Sequence, residues 1–349
     1  MHKNGIGLFR RLCLIVSITI WGCSSDLSSS NTNPKEEPTV GTTEENPYEI
    51  SSVEELIQLA SEVNKCNSYA GVHFKMTADI VLNEGNASEW GTTPPTNIWV
   101  PIGKKVDITA CPFSGIFDGD GHTISGLYFN DTNAYAGLFG VVYGGTIKNM
   151  GLINSYIKTR YAVGSIVGYN FESIVENVYS EASVSATSQY VGGLVGVNIN
   201  GSVIQESYNS GSVNGSFTAG GIAGSNNGSE IKNVFNKGNV SASKINVGGI
   251  AGENVQGASI SNCYLIASIV NADSTKNAGN IVGTQAANAT VVNCYYDNFI
   301  STLADTLAEG KSTSEMKVSG FVQALNNGTD VWNWVSTKNS GYPSFSWMK

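Results

Sequence analysis

The chain has 349 residues, enough to bury a sizeable core, yet it carries 40 Gly and only 13% charged residues. That Gly-rich, weakly charged profile points to many short strands and turns. A formal charge of −9 opposes binding to phosphate backbones or anionic lipid surfaces, which need clustered Lys and Arg, so nucleic acid is set aside as a partner.

Residues 1–22 read as a leader. A basic start (His2, Lys3, Arg10, Arg11) precedes an apolar run from Leu12 to Trp21, then Gly22 and Cys23. Basic, apolar, small is the order of a secretory signal, and the run is too short to span a bilayer. Ile20-Trp21-Gly22-Cys23 resembles a bacterial lipobox, which implies that Cys23 is acylated and anchors the chain to a membrane through lipid. Loss of Lys3, Arg10 and Arg11 with the leader leaves 16 basic against 28 acidic residues, a balance of −12. The stretch 23–46, SSDLSSSNTNPKEEPTVGTTEEN after the cysteine, holds almost no large apolar residue and reads as a flexible tether.

Residues 47–112 read as an N-terminal cap. In YEISSVEELIQLASEVNK, Ser51 or Ser52 offers an N-cap, and Val53, Leu56, Ile57, Ala60 and Val63 recur at helical spacing, predicting one amphipathic helix. TADIVLNEGN, IWVPIG and FSGIFDGDGHTISGLYFN read as irregular opening coils.

Repeats dominate residues 113–299. Glycines fall at Gly140, Gly168, Gly196, Gly224 and Gly252, a spacing of 28 four times over, with Gly283 next. Each unit continues with a polar turn holding Asn170, Asn198, Asn226 or Asn254. An aromatic follows at Tyr179, Tyr208, Phe235, Tyr264 or Tyr295, with Asn two places earlier except at Glu206. A unit of this size buries an apolar face only by coiling and stacking on its neighbours, so the period predicts a β-solenoid of about six coils, roughly 30 Å long before caps. Like residues then form ladders, and the aromatics read as stacked core in preference to a sugar-binding strip. Glycines are expected at positive φ or at close backbone approaches. Residues 300–349 read as a C-terminal cap over the last core face, with a short helix around Met316 to Leu325.

The GG(L/I)(V/A)G...I.N(C/V)(Y/F)...G.V pattern resembles the GLUG motif repeats of bacterial surface proteins. These include adhesin-like lipoproteins of Bacteroidota and regions of streptococcal IgA-specific metallopeptidases. The likeness covers roughly residues 47 to 349 and departs from the pattern at Ser165 and Asn280, where a glycine is usual. It implies an all-β, right-handed parallel β-helix-like solenoid displayed at the cell surface, and it says little about chemistry.

Chemical motifs are sparse. There is no HExxH and no GxSxG, and Asp305 stands where a Walker loop ending in Gly310-Lys311-Ser312 needs its first glycine. The paired glycines recur too regularly for a nucleotide loop. The one cluster is Asp118, Asp120 and His122 in FDGDGH. Paired carboxylates can serve glycoside hydrolysis and DGDG turns can hold calcium, but Asp-Gly pairs are also strong turn formers, and the turn is the preferred reading. Beyond the leader Arg160 is the only arginine, which argues against cleavage of acidic polysaccharides. Cys66 and Cys111 are a candidate disulfide in the exported cap, whereas Cys263 and Cys294 share a repeat position and read as buried thiols. No catalytic set, metal or cofactor is expected. The sequence therefore points to an exported scaffold, lipid-anchored at the outer membrane, with a glycan or a surface or matrix protein as partner. The enzyme alternative acts on a neutral polysaccharide, and a third reading is a structural accessory of an outer-membrane assembly.

Overall fold

The computed structural model describes residues 40–106, 109–132, 135–271, 273 and 277–348. Parallel pairing builds a β-solenoid of about eight turns with repeats of ~28 residues. This exceeds the six coils expected, because flanking segments join the stack. Tyr48–Ile50 and His73–Met76 extend the longest sheet at one end, and Glu309–Lys311 extends it at the other. FSGIFDGDGHTISGLYFN is likewise a full member, its three short strands pairing with the next coil.

One coil shows the logic. Val195–Ile199 lies in one six-stranded sheet, Val203–Asn209 in the twelve-stranded sheet, and Val213–Gly215 in a second six-stranded sheet. Thr218–Gly220 adds a short fourth sheet that the repeat pattern did not reveal. Register is kept coil to coil: Val175, Ile204, Ile231 and Ile260 stack in one buried column that half-buried Val291 extends. Each fully buried aliphatic side chain of this kind is worth about 1.5–3 kcal/mol.

Glycines take both of the roles expected of them, close approach and positive φ, and asparagine shares the second. Gly196 is not left-handed; a Cβ there would lie 2.5 Å from the Gly168 carbonyl oxygen, so the glycine permits close coil stacking. Gly144, Gly201, Gly228 and Gly257 take positive φ at the polar turns, whereas the left-handed corner within the long sheet belongs to Asn149, Asn177, Asn233, Asn262 and Asn293, all with φ between 51° and 56°, and to Glu206 at 49°. Asparagine tolerates this conformation better than most side chains. Its effect is a change of phase. In Ile174–Ser180 both Val175 and Val178 face the core across Asn177, and Tyr179 is turned outward.

The aromatics therefore do not lie in the solenoid core. They stack along its outside, Tyr179 on Tyr208 at 5.2 Å, Tyr208 on Phe235 at 4.7 Å and Phe235 on Tyr264 at 4.9 Å, all within 9° of parallel. The C-terminal segment folds back along the side of the rod and covers them, so that Phe321, Trp332, Tyr342 and Phe345 make a second apolar cluster with the ladder. Two helices serve here in place of the one expected: α2 (Thr313–Met316), opened by a capping box between Ser312 and Glu315, and α3 (Ser319–Asn326). Buried Asp297 accepts from Tyr342 Oη and Thr313 Oγ1, both at 2.7 Å, fastening this flap to the last coil.

The end face is closed by a different segment. Asp305 accepts the backbone N–H groups of Asn280 and Ile281 at 2.8 and 3.2 Å, and Leu303, Leu307 and Ala308 pack on the core. Asn280 departs from glycine where no further coil presses on it, whereas Ser165 is accommodated beneath the next coil, its buried Oγ donating to the Gly193 carbonyl oxygen. At Gly249 an added Cβ would meet the Asn280 carbonyl oxygen at 2.0 Å, whereas the last coil has no successor, and Asn280 instead donates to Leu303 O at 2.8 Å.

At the other end α1 (Val53–Val63) is capped by Ser52 and buries Leu56, Leu59, Ala60 and Val63; Ile57, expected inward, is 53% exposed. Cys66 and Cys111 form a disulfide beside it. Residues 41–46, assigned to the tether by composition, dock instead: His73 N donates to Gly41 O at 2.8 Å, and Glu44 meets Lys148 Nζ at 3.0 Å.

Candidate functional site

The DGDGH segment is the corner of an early coil. Asp118 Oδ1 accepts the Asp120 N–H at 2.8 Å, a turn closed by an aspartate side chain, and Asp120 and Gly121 follow in left-handed conformation. Asp118 also accepts from Asn149 Nδ2 at 3.0 Å and lies 3.4 Å from Lys148 Nζ. Asp120 turns outward to Lys75 Nζ at 3.0 Å, and His122 Nδ1 meets Asp79 at 3.2 Å. The three residues grouped by sequence thus face three different partners.

The electrostatics agree with a set of local pairs. Lys75 is held above its usual value by its hydrogen bond to Asp120. For Lys148 burial opposes the charge, but Glu44 and Asp118 outweigh it and the net shift is upward. Asp79 is lowered mainly by the Thr123 N–H it accepts, with His122 helping. Among the described residues no group of three or more His, Cys, Asp or Glu is placed to hold a metal. Cys23 lies outside the described residues.

Two columns of amides climb the rod. Asn170 Nδ2 donates to Asn198, Asn198 to Asn226, Asn226 to Asn254 and Asn254 to Gln285, each at 2.9–3.0 Å and all four asparagines fully buried. The left-handed corner carries the second column. There Asn149 donates to Asp118, and Asn177 donates to Asn149 at 3.2 Å. Glu206 interrupts it, and the buried Oδ1 of Asn177 has no partner. Burial and the charge of Glu176 raise the Glu206 carboxyl above its ordinary value, partly offset by Lys232.

Above this interruption the flap reaches its limit. Tyr208, Phe235, Tyr264 and Tyr295 are buried, whereas Tyr179 stays half-buried at the edge, with Trp347 6.4 Å from it and 5.9 Å from Tyr208. Burial raises the phenol of Tyr208 far more than it would a surface tyrosine. Between the flap edge and the DGDG corner lies a cleft of about 380 Å³, lined by Asp120, Asn149, Asn177, Tyr179, Glu181 and Trp347 among others. Its size and its mix of aromatic and polar walls suit a small ligand. The sequence flagged Asp120, Asn177 and Tyr179 for other reasons and missed Trp347, because contact with Trp347 depends on a flap folding back across four coils. A second cleft of about 730 Å³ lies beside α1, with Ile57, Ile98 and Val100 exposed along it.

Residues 159–185, 187–214 and 245–270 match the model of the GLUG motif. Halomucin of Haloquadratum walsbyi is 34% identical over 177 residues, which is 50% of this chain and 2% of halomucin. A "Putative Gly-rich membrane protein" of Evansella cellulosilytica is 32% identical over 146 residues, 40% of this chain and 15% of that protein. The chain thus matches only a small part of the length of either curated relative. Among solved structures, a "putative immunoglobulin A1 protease from Bacteroides ovatus" superposes with a TM-score of 0.67 at 24% identity, covering 89% of this chain and 95% of that one. An "IgA1 Protease" gives 0.53 at 18% identity, covering 77% of this chain and 22% of that one. At these identities the likeness is one of fold. No described helix is long and apolar enough to cross a membrane. The chain is a parallel β-solenoid carrying GLUG motif repeats.

Proposed function

We propose that this chain is a lipid-anchored cell-surface scaffold that binds, without chemical conversion, a glycan, a matrix protein or an envelope partner. The observation that carries the reading is the state of the DGDGH corner: its carboxylates and imidazole are tied into a turn and separate ion pairs, while an aromatic and polar cleft stands open beside them. The Gly22-Cys23 leader, and a curated relative named as a membrane protein, support display at a membrane outside the cell. Two fold neighbours are named proteases, but cleavage of immunoglobulin is not part of the proposal, since the chain has no HExxH.

The test places residues 24–349 on an array of glycans and matrix proteins. Binding that one soluble competitor removes is the expected result. Release of sugar from a neutral polysaccharide, lost on Asp118→Asn or Asp120→Asn, would replace the scaffold by an enzyme. A stable co-purifying envelope protein without array binding would favour an accessory role. In cells, Cys23→Ala should abolish lipid labelling and surface display together.

A further inference from the structure

We infer that the cleft between the flap edge and the DGDG corner is a binding site for a neutral oligosaccharide, held by Tyr179, Trp347 and the Asn177 corner. This deepens the scaffold reading and rests on it. Three features carry the inference.

The first is aromatic. Four of the five ladder rings are buried, and the fifth, Tyr179, is left half-buried beside Trp347, whose ring lies 28° from parallel to it. Rigid aromatic faces with a polar edge suit the C–H face of a sugar ring.

The second is an unmatched pair of polar atoms. Trp347 Nε1, a donor, and Asn177 Oδ1, an acceptor, both belong to residues lining the cleft, and neither has a hydrogen-bond partner within the protein. Buried polar atoms are rarely left so. A hydroxyl group donates and accepts at once and complements both. Both atoms are screened from solvent by their neighbours in the unliganded chain, so a ligand hydroxyl reaches them through a side-chain shift that leaves the Trp347 ring as a wall of the cleft.

The third is charge. Asp120 is paired with Lys75 at 3.0 Å, and exposed Glu181 adds a carboxylate acceptor for sugar hydroxyls. The cleft lining holds no Lys or Arg that would select an acidic sugar.

The experiment is calorimetric titration of the intact chain, in a polyoxyethylene detergent free of sugar. The probes are cellohexaose, maltohexaose, xylohexaose and mannohexaose, with trigalacturonate and chitosan hexamer as charged comparators. At least one neutral hexasaccharide should bind. Tyr179→Ala should weaken it about tenfold, and Trp347→Phe, which keeps the ring and removes the N–H, by several-fold. Tyr143→Ala, an exposed aromatic outside the cleft, should leave affinity unchanged, and thermal melting confirms that each variant is folded. Silence across the neutral panel overturns the inference, as does equal affinity in Tyr179→Ala or tighter binding of a charged comparator. Binding of a matrix protein on the array together with silence here would leave the scaffold standing and remove only this site.

Discussion

Two columns of amides run along this solenoid under different rules. The buried column from Asn170 to Gln285 is continuous, each side chain donating to the coil above. The left-handed column starts at Asp118, passes through Asn149 and Asn177, and is broken at Glu206. The first fills the interior, where an unpaired amide costs its desolvation, and only the Oδ1 of Asn170, at its start, is left without a partner along it. The second lies at a half-buried corner whose backbone requirement, a positive φ, is met without an unbroken chain of hydrogen bonds. It is broken beside the cleft, between Asn177 and Glu206, and again above Asn233, whose buried Oδ1 also lacks a partner. The interior column is thus held by its side chains, and the corner column by its backbone conformation.

The contrast breaks most severely at Gly196, two residues before Asn198. Gly196→Val drives a side chain into the Gly168 carbonyl and the Val163 amide, and should cost on the order of 3 kcal/mol or more in chemical denaturation. Gly201→Val, with φ of 77° but nothing within 4 Å, should cost only about 1–2 kcal/mol from backbone strain.

Within the intact column, Asn226→Leu removes the acceptor of Asn198 and the donor to Asn254. A loss of about 2–3 kcal/mol is expected, with the melting transition lowered accordingly. A comparable loss from Asn177→Gly, at the broken column, would erase the distinction drawn here.

Glu206→Asn should repair the second column by giving Asn177 Oδ1 a donor, stabilising the fold by about 1 kcal/mol. The same change should weaken oligosaccharide binding, because it satisfies from within an acceptor assigned to the ligand. Stability should also lose a pH dependence. The Glu206 carboxyl, facing Glu176 and Lys232, is raised above its ordinary 4.5. The folded chain thus keeps that proton to higher pH than the unfolded chain does, so this contribution is full below about 4.5 and is lost as pH rises through the folded value. Denaturation of the two proteins at several pH values from about 4 upward should show a falling difference in the parent that is absent in the variant.

Much of the architecture was legible because its determinants are local. Glycines that let coils approach and asparagines that turn corners recur in the letters themselves, so period, strand content and the Asn170 column could be read directly. The direction of the aromatics could not. Asn177 shifts the inward phase by one residue, and only backbone geometry shows that Tyr179 then points away from the core. The flap was read as an end cap because sequence does not say which face Trp332 and Phe345 seek. The Ser312-Thr313-Ser314-Glu315 capping box, by contrast, was a readable start signal that the helix expected from Met316 overlooked. The cleft escaped notice for the same long-range reason as the flap.

Asn280 has a consequence for how such a rod changes length. Gly193, Gly221 and Gly249 each leave the space that a following coil occupies, so a duplicated unit inserted among them meets the surface it expects on both sides. After Asn280 no such unit fits, since its side chain and the Asp305 carboxylate already occupy the end. Growth by duplication is thereby confined to the middle, where each added turn lengthens the rod by about 4.8 Å. A lineage could retune reach in uniform steps while keeping the terminal closure unaltered.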